Sequence, residues 1–269
     1  MGEAYRDIKF ERAEAHIARL TLARPKQMNA YTTRLCEEVV RALEIYWRDD
    51  DLRVLIVTGE GRGFCAGGDV SGADEAHGDL MKAQLSHARE MRDGMHRVIQ
   101  ALHRIDKPVI AMINGPAVAG GLALALSCDF RIAADTAKLG DTSGKFGLLP
   151  DEGGAWLFPR AMGLDRALKM TMLSEVYDAQ TALGLGLVTE VVAAGELDAR
   201  TMAFARALAK RAPLAVRLAK AMMLRGLTTT LDHSLADAAL SVMVSNPSND
   251  VREGVKAFFE KREPKFEGR

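Results

Sequence analysis

The chain has 269 residues, 48% of them apolar and 27% charged, a composition that describes a globular protein long enough to bury one large core. Its 36 basic and 36 acidic side chains cancel, which excludes a long-range field drawing nucleic acid or an anionic membrane, so an anionic ligand must be met by local groups. Three cysteines, Cys36, Cys65 and Cys128, have no paired spacing; this excludes a disulfide framework and a cysteine zinc site and suits a reducing compartment, with the thiols as small apolar fillers.

The opening segment "MGEAYRDIKFERAEAHIARL" is charged throughout, without a signal-peptide core, and no later run reaches membrane-spanning length, so a cytoplasmic protein is expected. "HIARLTLARP" alternates apolar and polar residues up to Pro25 and predicts a strand. "TTRLCEEVVRALEIYWRDDD" has apolar residues at 35, 39, 40, 43 and 47, a helical stripe with Thr32 or Thr33 as cap. "RVLIVTGEG" predicts a buried strand, residues 71 to about 105 a helical stretch, and "KPVIAMING" a second buried strand. "GGLALALSCD" then reads as a short apolar helix and "FRIAAD" as a third strand.

Beyond residue 160 the pattern is mostly helical, interrupted at Pro213. Strands alternating with helices, followed by a helical last third, predict an α/β core with a helical C-terminal region. The composition shift near 195 divides residues 1–195 from residues 196–269.

Two glycine clusters follow predicted strands. "GEGRGFCAGGD" holds a G-x-G-x-x-A pattern at Gly61, Gly63 and Ala66, but Gly67 and Gly68 stand where a dinucleotide-binding helix would begin and no acid follows at the required distance. What remains is a loop stripped of side chains around Gly67 and Gly68, whose amides can face a ligand. In "NGPAVAGGLALALSCD", Gly120 and Gly121 open a helix, so their amides belong to its unpaired donors. Close packing explains either glycine pair alone; together they suggest two amides converging on one oxygen. The six histidines show no metal-ligand spacing, and no metal is expected.

"FCAGGDV" at 64–70, "INGPAVAGGLALALSCDFRIAAD" at 113–135, "GLLPDEGG" at 147–154 and "REGVKAFFEKREPKF" at 252–266 resemble the crotonase (enoyl-CoA hydratase/isomerase) superfamily across essentially the whole chain. The resemblance implies a spiral of ββα units with a helical C-terminal region serving oligomerisation and active-site cover. It also implies homotrimers or dimers of trimers, and acyl-CoA substrates processed through an enolate, coenzyme A entering as part of the substrate with no separate cofactor.

Carried over by position, the resemblance assigns an oxyanion hole to the amides of Gly68 and Gly120, and a CoA site to Lys26, Met28 and the segment Ala66 to Val70, including Asp69. It places Phe258 and Lys261 near the nucleotide end, a neighbouring subunit being one possible source; Lys261 otherwise reads as a solvated helix charge. His77, His87 and Met91 fall in the segment that lines the acyl pocket of relatives, and otherwise read as ordinary surface or core residues. Hydratases of the superfamily use two glutamates at positions held here by Ala123 and Ser143, neither of which can activate water as a carboxylate does. Ser143 reads as a polar loop residue or as a contact to water or substrate.

Asp151 lies where several relatives keep a functional acid and resembles the aspartate of ring-epoxide phenylacetyl-CoA isomerases, the type that the C-terminal segment also resembles most. It corresponds as well to an acid of dienoyl-CoA isomerases and to the nucleophile of chlorobenzoyl-CoA dehalogenases, which present a tryptophan near position 143 that this chain lacks. On local grounds alone, Asp151 after Pro150 reads as the N-cap of "GGAWLFPRAMG" and Glu152 as a first-turn charge. With the resemblance, Asp151 is expected to be the acid/base and Glu152 a helix-end charge. The expected activity is isomerisation of an enoyl-CoA; the alternatives are a hydratase or lyase with unconventional acids, and a non-catalytic acyl-CoA-binding subunit.

Overall fold

A computed structural model describes residues 5–70 and 86–268. β1 (Ile8–Glu14) and β2 (Ile17–Leu22) form an antiparallel hairpin. β2 continues in parallel with β3 (Val54–Gly59), β4 (Val109–Ile113), β6 (Phe130–Ala134) and β9 (Glu190–Val192), giving a six-stranded sheet ordered β1-β2-β3-β4-β6-β9. A smaller sheet, β5-β7-β8, joins β5 (Ala117–Val118), β7 (Lys138–Gly140) and β8 (Val176–Asp178).

β3 is buried along its whole length, as its unbroken apolar run requires of a central parallel strand. The strand period of two sends Leu55 and Val57 to one face and Val54 and Ile56 to the other. The first face packs against α1 (Thr33–Arg48), α3 (Met95–Arg104) and α4 (Gly120–Leu126) through Leu35, Leu43, Val98 and Leu122. The second is covered by α8 (Leu197–Ala209), which contributes Leu197, Met202, Ala205 and Ala209, so the core of the sheet continues past residue 195.

Thr32 caps α1, its hydroxyl accepting from the Leu35 amide at 3.2 Å. The stripe differs at one position: Trp47 is 48% exposed, whereas Tyr46 is fully buried and its hydroxyl donates to the Pro108 carbonyl at 2.8 Å. β1, with four charged residues in "IKFERAE", was not predicted, since an edge strand facing water on one side lacks a continuous apolar signal. Most of the predicted 71–105 helix lies outside the described residues; its end forms α2 (Ser86–Asp93) and α3.

The segment after 140 is helical except for β8 and β9, with α5 (Gly154–Met162), α6 (Leu164–Leu173) and α7 (Ala179–Gly184). The helical pattern is interrupted before Pro213 as expected: α8 ends at Ala209, and Pro213 stands in the first turn of α9 (Pro213–Gly226), where a missing amide proton is harmless. α9, α10 (Leu231–Ser245) and α11 (Asn249–Glu260) carry large exposed apolar side chains, among them Met223, Leu231, Leu240 and Met243. No helix among the described residues is long and apolar enough to cross a membrane.

Candidate active site

Three loops meet beside the carboxyl ends of β3 and β4. The loop after β3 is pinned by side-chain amides: Asn29 Nδ2 donates to the Gly63 carbonyl at 2.8 Å, and Asn114 Nδ2 to the Gly61 carbonyl at 2.9 Å. Residues 28–31 run alongside it, with Ala66 N bonded to Met28 O, Tyr31 N to Gly67 O and Asp69 N to Tyr31 O. This parallel bridge between Tyr31 and Gly68 uses the Gly67 carbonyl and the Asp69 N–H and leaves the Gly68 N–H directed away. Asp69 and Arg24, side chains 7% and 10% exposed, lock the two segments with an ion pair at 2.8 Å.

The second loop turns at Ala119, whose φ of +50° is unusual for a residue with a side chain, and Gly120 begins α4. Neither the Gly68 nor the Gly120 amide donates to a backbone carbonyl among the described residues. The loops touch: a methyl group on Gly67 would lie 3.1 Å from the Ala119 Cβ and 3.5 Å from the Gly120 nitrogen. Glycine is required at 121 because a Cβ there would strike the Cys65 carbonyl, so part of the conformation of the second cluster is imposed by packing.

These loops border a cavity of about 500 Å³. Lys26, Met28, Ala66, Gly68, Asp69, Val70, Ser143 and Asp151 all line it, together with Tyr31, His87, Met91, Ala119 and Glu152. Phe258 and Lys261 do not; they stand exposed at the end of α11. His77 lies outside the described residues. Ala123 is buried in α4, and Ser143, 4% exposed, donates its amide N–H to Asp141 Oδ1 at 3.0 Å. Among the described residues no cluster of metal-ligating side chains occurs.

The acidic pair separates in an unexpected way. Neither residue caps α5, whose N-cap is Gly153, at a φ of +106° and with no side-chain hydrogen bond. Asp151 is 31% exposed; its Oδ2 lies 3.0 Å from His87 Nε2, and its backbone carbonyl accepts from His96 Nε2 at 2.8 Å. Glu152, expected to be a solvated helix-end charge, is instead 6% exposed and accepts a hydrogen bond from the Tyr31 hydroxyl at 2.8 Å. The physical reason is the turn: residues 151–153 reverse before α5 starts, carrying the Glu152 side chain inward against Gly120.

Burial raises the Glu152 carboxyl above its ordinary value; hydrogen bonds from Tyr31 and from its own backbone amide oppose this, and the nearby charges of Asp151 and Asp141 add to it. Burial, with the facing Glu152, likewise lifts the Tyr31 phenol well above the tyrosine range. Tyr31 also packs against both Gly68 and Gly120. A Cβ on Gly68 would lie 3.3 Å from its hydroxyl, and one on Gly120 would lie 2.6 Å from its ring and 2.7 Å from Glu152 Oε1. Nothing in "NAY" marks Tyr31 for this position, because its partner lies 121 residues away.

A largely parallel six-stranded sheet with a helical last third, and two glycine loops bordering one cavity, define the crotonase fold class. The chain belongs to the enoyl-CoA hydratase/isomerase family, whose model matches residues 12–269. It is 35% identical over 266 residues to a probable enoyl-CoA hydratase of Rhodobacter capsulatus, covering 99% of this chain and 100% of that one. It is also 35% identical over 257 residues to the 1,2-epoxyphenylacetyl-CoA isomerase of Escherichia coli, covering 95% and 97%. The crystal structure of an enoyl-CoA hydratase from Bacillus anthracis superposes with a TM-score of 0.92 at 32% identity, covering 98% of this chain and 100% of that one.

Proposed function

We propose that this protein is an enoyl-CoA isomerase that shifts a double bond through a thioester enolate, with Asp151 as its acid/base. The observation that carries the reading is the shared cavity: the Asp151 side chain borders the same space as Gly68 and Ala119, whose loops hold the two uncommitted amides. A thioester oxygen receiving both amides gains negative charge when a neighbouring carbon is deprotonated, and one such preorganised donor contributes about 3 kcal/mol. Asp151 then moves a proton from C2 to C4, the carbons on either side of C3. Lys26, Met28, Ala66, Asp69 and Val70 border the mouth and hold the CoA portion, while Phe258 and Lys261 serve its nucleotide end from the neighbouring copy of a trimer.

Conversion of 3-hexenoyl-CoA to 2-hexenoyl-CoA by the purified protein tests this. Asp151→Asn is expected to lower the rate at least about a hundredfold, the usual contribution of a positioned proton-transfer group. An unchanged rate rejects the assignment. Water addition to 2-hexenoyl-CoA at a comparable rate favours a hydratase instead, and binding without either reaction favours an acyl-CoA-binding subunit.

A further inference from the structure

Glu152 has no part in a scheme that gives both proton transfers to Asp151, yet its placement is costly. A carboxyl desolvated this far is destabilising unless its bonds compensate. Here it receives the Tyr31 hydroxyl at 2.8 Å and a bond from its own amide, with two further acids, Asp141 and Asp151, close enough to act on it. A glutamate serving only to cap or to solubilise would face water. This one lines the cavity, with Oε1 2.7 Å from where a Cβ on Gly120 would stand, Gly120 being the residue whose amide is proposed to hold the thioester oxygen.

We infer that Glu152 is a second acid/base group, acting on C2, the carbon bonded to the thioester carbonyl, while Asp151 acts on C4, and that Tyr31 positions Glu152. The assignment of carbons follows from the geometry: C2 is one bond from the carbonyl carbon whose oxygen sits at Gly120, and Glu152 is the carboxyl pressed against Gly120. Asp151, 31% exposed, has its carboxyl beside His87 and its backbone carbonyl bonded by His96.

In the direction from 3-enoyl to 2-enoyl, ionised Glu152 takes the proton from C2. The C2–H bonding pair moves into the C1–C2 bond and the displaced pair to the thioester oxygen, which the Gly68 and Gly120 amides receive. The pair then returns, C2=C3 forms, and the former C3=C4 pair bonds the proton of Asp151 at C4. Glu152 ends protonated and Asp151 ionised. The pair therefore shares one proton, and water resets it at the partly exposed Asp151, which also borders an open cleft beside His96 and Trp156. The reverse reaction uses the opposite protonation states. This rests on the enolate reading above and divides its two proton transfers.

Hexanoyl-CoA, which has no double bond to shift, isolates the C2 step as exchange of its C2 protons in D₂O. Exchange is expected to fall about a hundredfold or more in Glu152→Gln and to stay within about threefold of wild type in Asp151→Asn. Both variants are expected to lose isomerisation of 3-hexenoyl-CoA. Tyr31→Phe is expected to lower exchange about tenfold through kcat, with KM unchanged, a split that a packing defect at the CoA site would not give.

Exchange lost in Asp151→Asn but retained in Glu152→Gln overturns the inference and leaves Asp151 as sole acid/base. Exchange lost in both overturns the division of labour. Exchange and isomerisation retained in both reject the enolate chemistry of Asp151 as well. Should a variant fail to fold, wild-type turnover of 3-hexenoyl-CoA deuterated at C2 decides: deuterium carried to C4 overturns the inference, and a solvent proton at C4 upholds it.

Discussion

Nε2 of His87, on α2, lies 3.0 Å from Oδ2 of Asp151, 64 positions later in the chain. Among the described residues Nδ1 of His87 is buried without a partner, so the imidazole is committed to the aspartate through one nitrogen only. His96 holds the same residue by its carbonyl, which can only accept, so Nε2 of His96 carries the proton. Two histidines thus fix both the backbone and the carboxyl of Asp151. Replacing His87 with alanine is expected to lower kcat for 3-hexenoyl-CoA isomerisation about tenfold with little change in KM, a part of the 10²–10⁴ that a well-placed acid/base group supplies. Steady-state kinetics check this; an unaltered kcat would show that His96 alone holds Asp151.

The two glycines proposed to bind the thioester oxygen differ in what surrounds them. A methyl group at 120 would meet the Tyr31 ring at 2.6 Å and Glu152 at 2.7 Å, whereas one at 68 would meet the Tyr31 hydroxyl at 3.3 Å. Gly120→Ala is expected to lower both kcat, by about a hundredfold, and the thermal midpoint. Gly68→Ala is expected to fold with a midpoint close to wild type. Calorimetry beside kinetics separates the two.

Arg24 and Asp69 tie the loop bearing Lys26 and Met28 to the loop bearing Gly68, and both side chains are almost fully buried. Arg24→Ala takes the guanidinium from a buried carboxylate and is expected to destabilise the fold by about 3 kcal/mol. Denaturant unfolding measures it, and a loss below about 1 kcal/mol would mark the pair as energetically ordinary.

Glu152 gives a pH signature of its own. Its carboxyl is raised in the folded protein above the ordinary 4.5, chiefly by burial, so the native state holds this proton more tightly than the unfolded chain. The stability it contributes is complete below 4.5 and is lost as pH rises through the raised value. Glu152→Gln, which keeps the shape without the charge, is therefore expected to gain stability relative to wild type as pH increases from 4 to 8. Thermal midpoints across that range check the sign; a difference independent of pH would contradict it.

All three cysteines are buried, and burial pushes the Cys65 and Cys128 thiols up to about 12 and raises Cys36 as well. A disulfide-exchange reagent needs the thiolate, so labelling of the native protein is expected to be slower than that of the denatured chain by more than about a hundredfold. Rapid modification of any one thiol at neutral pH would show local opening around it.

The α/β core was legible because its signals are local. β3 and β4 are short runs of mostly apolar residues rich in valine and isoleucine, α1 has a periodic stripe behind a threonine cap, and the glycines of both loops follow strands. β1, β8 and β9 escaped because an edge strand and two three-residue strands carry too few apolar residues to set a period. Trp47 was misplaced by one position, since a stripe read at helical spacing does not show which of two adjacent aromatics the neighbouring strand can receive.

By itself the sequence determined the layered core and the two glycine loops, which follow from residue type and order, while its resemblance to a family pointed to Asp151, which lines the cavity. The fate of Glu152 was decided only by tertiary structure. Whether that carboxyl meets water or a phenol depends on the turn before α5 and on a tyrosine 121 residues earlier, brought together by packing of loops that share no local pattern. For the same reason the pairing of Asp151 with His87 and the packing of Tyr31 against Gly68 and Gly120 could not be read along the chain. Side-chain environment is set by what the fold places opposite, and in a parallel sheet with long crossovers those partners are remote in sequence.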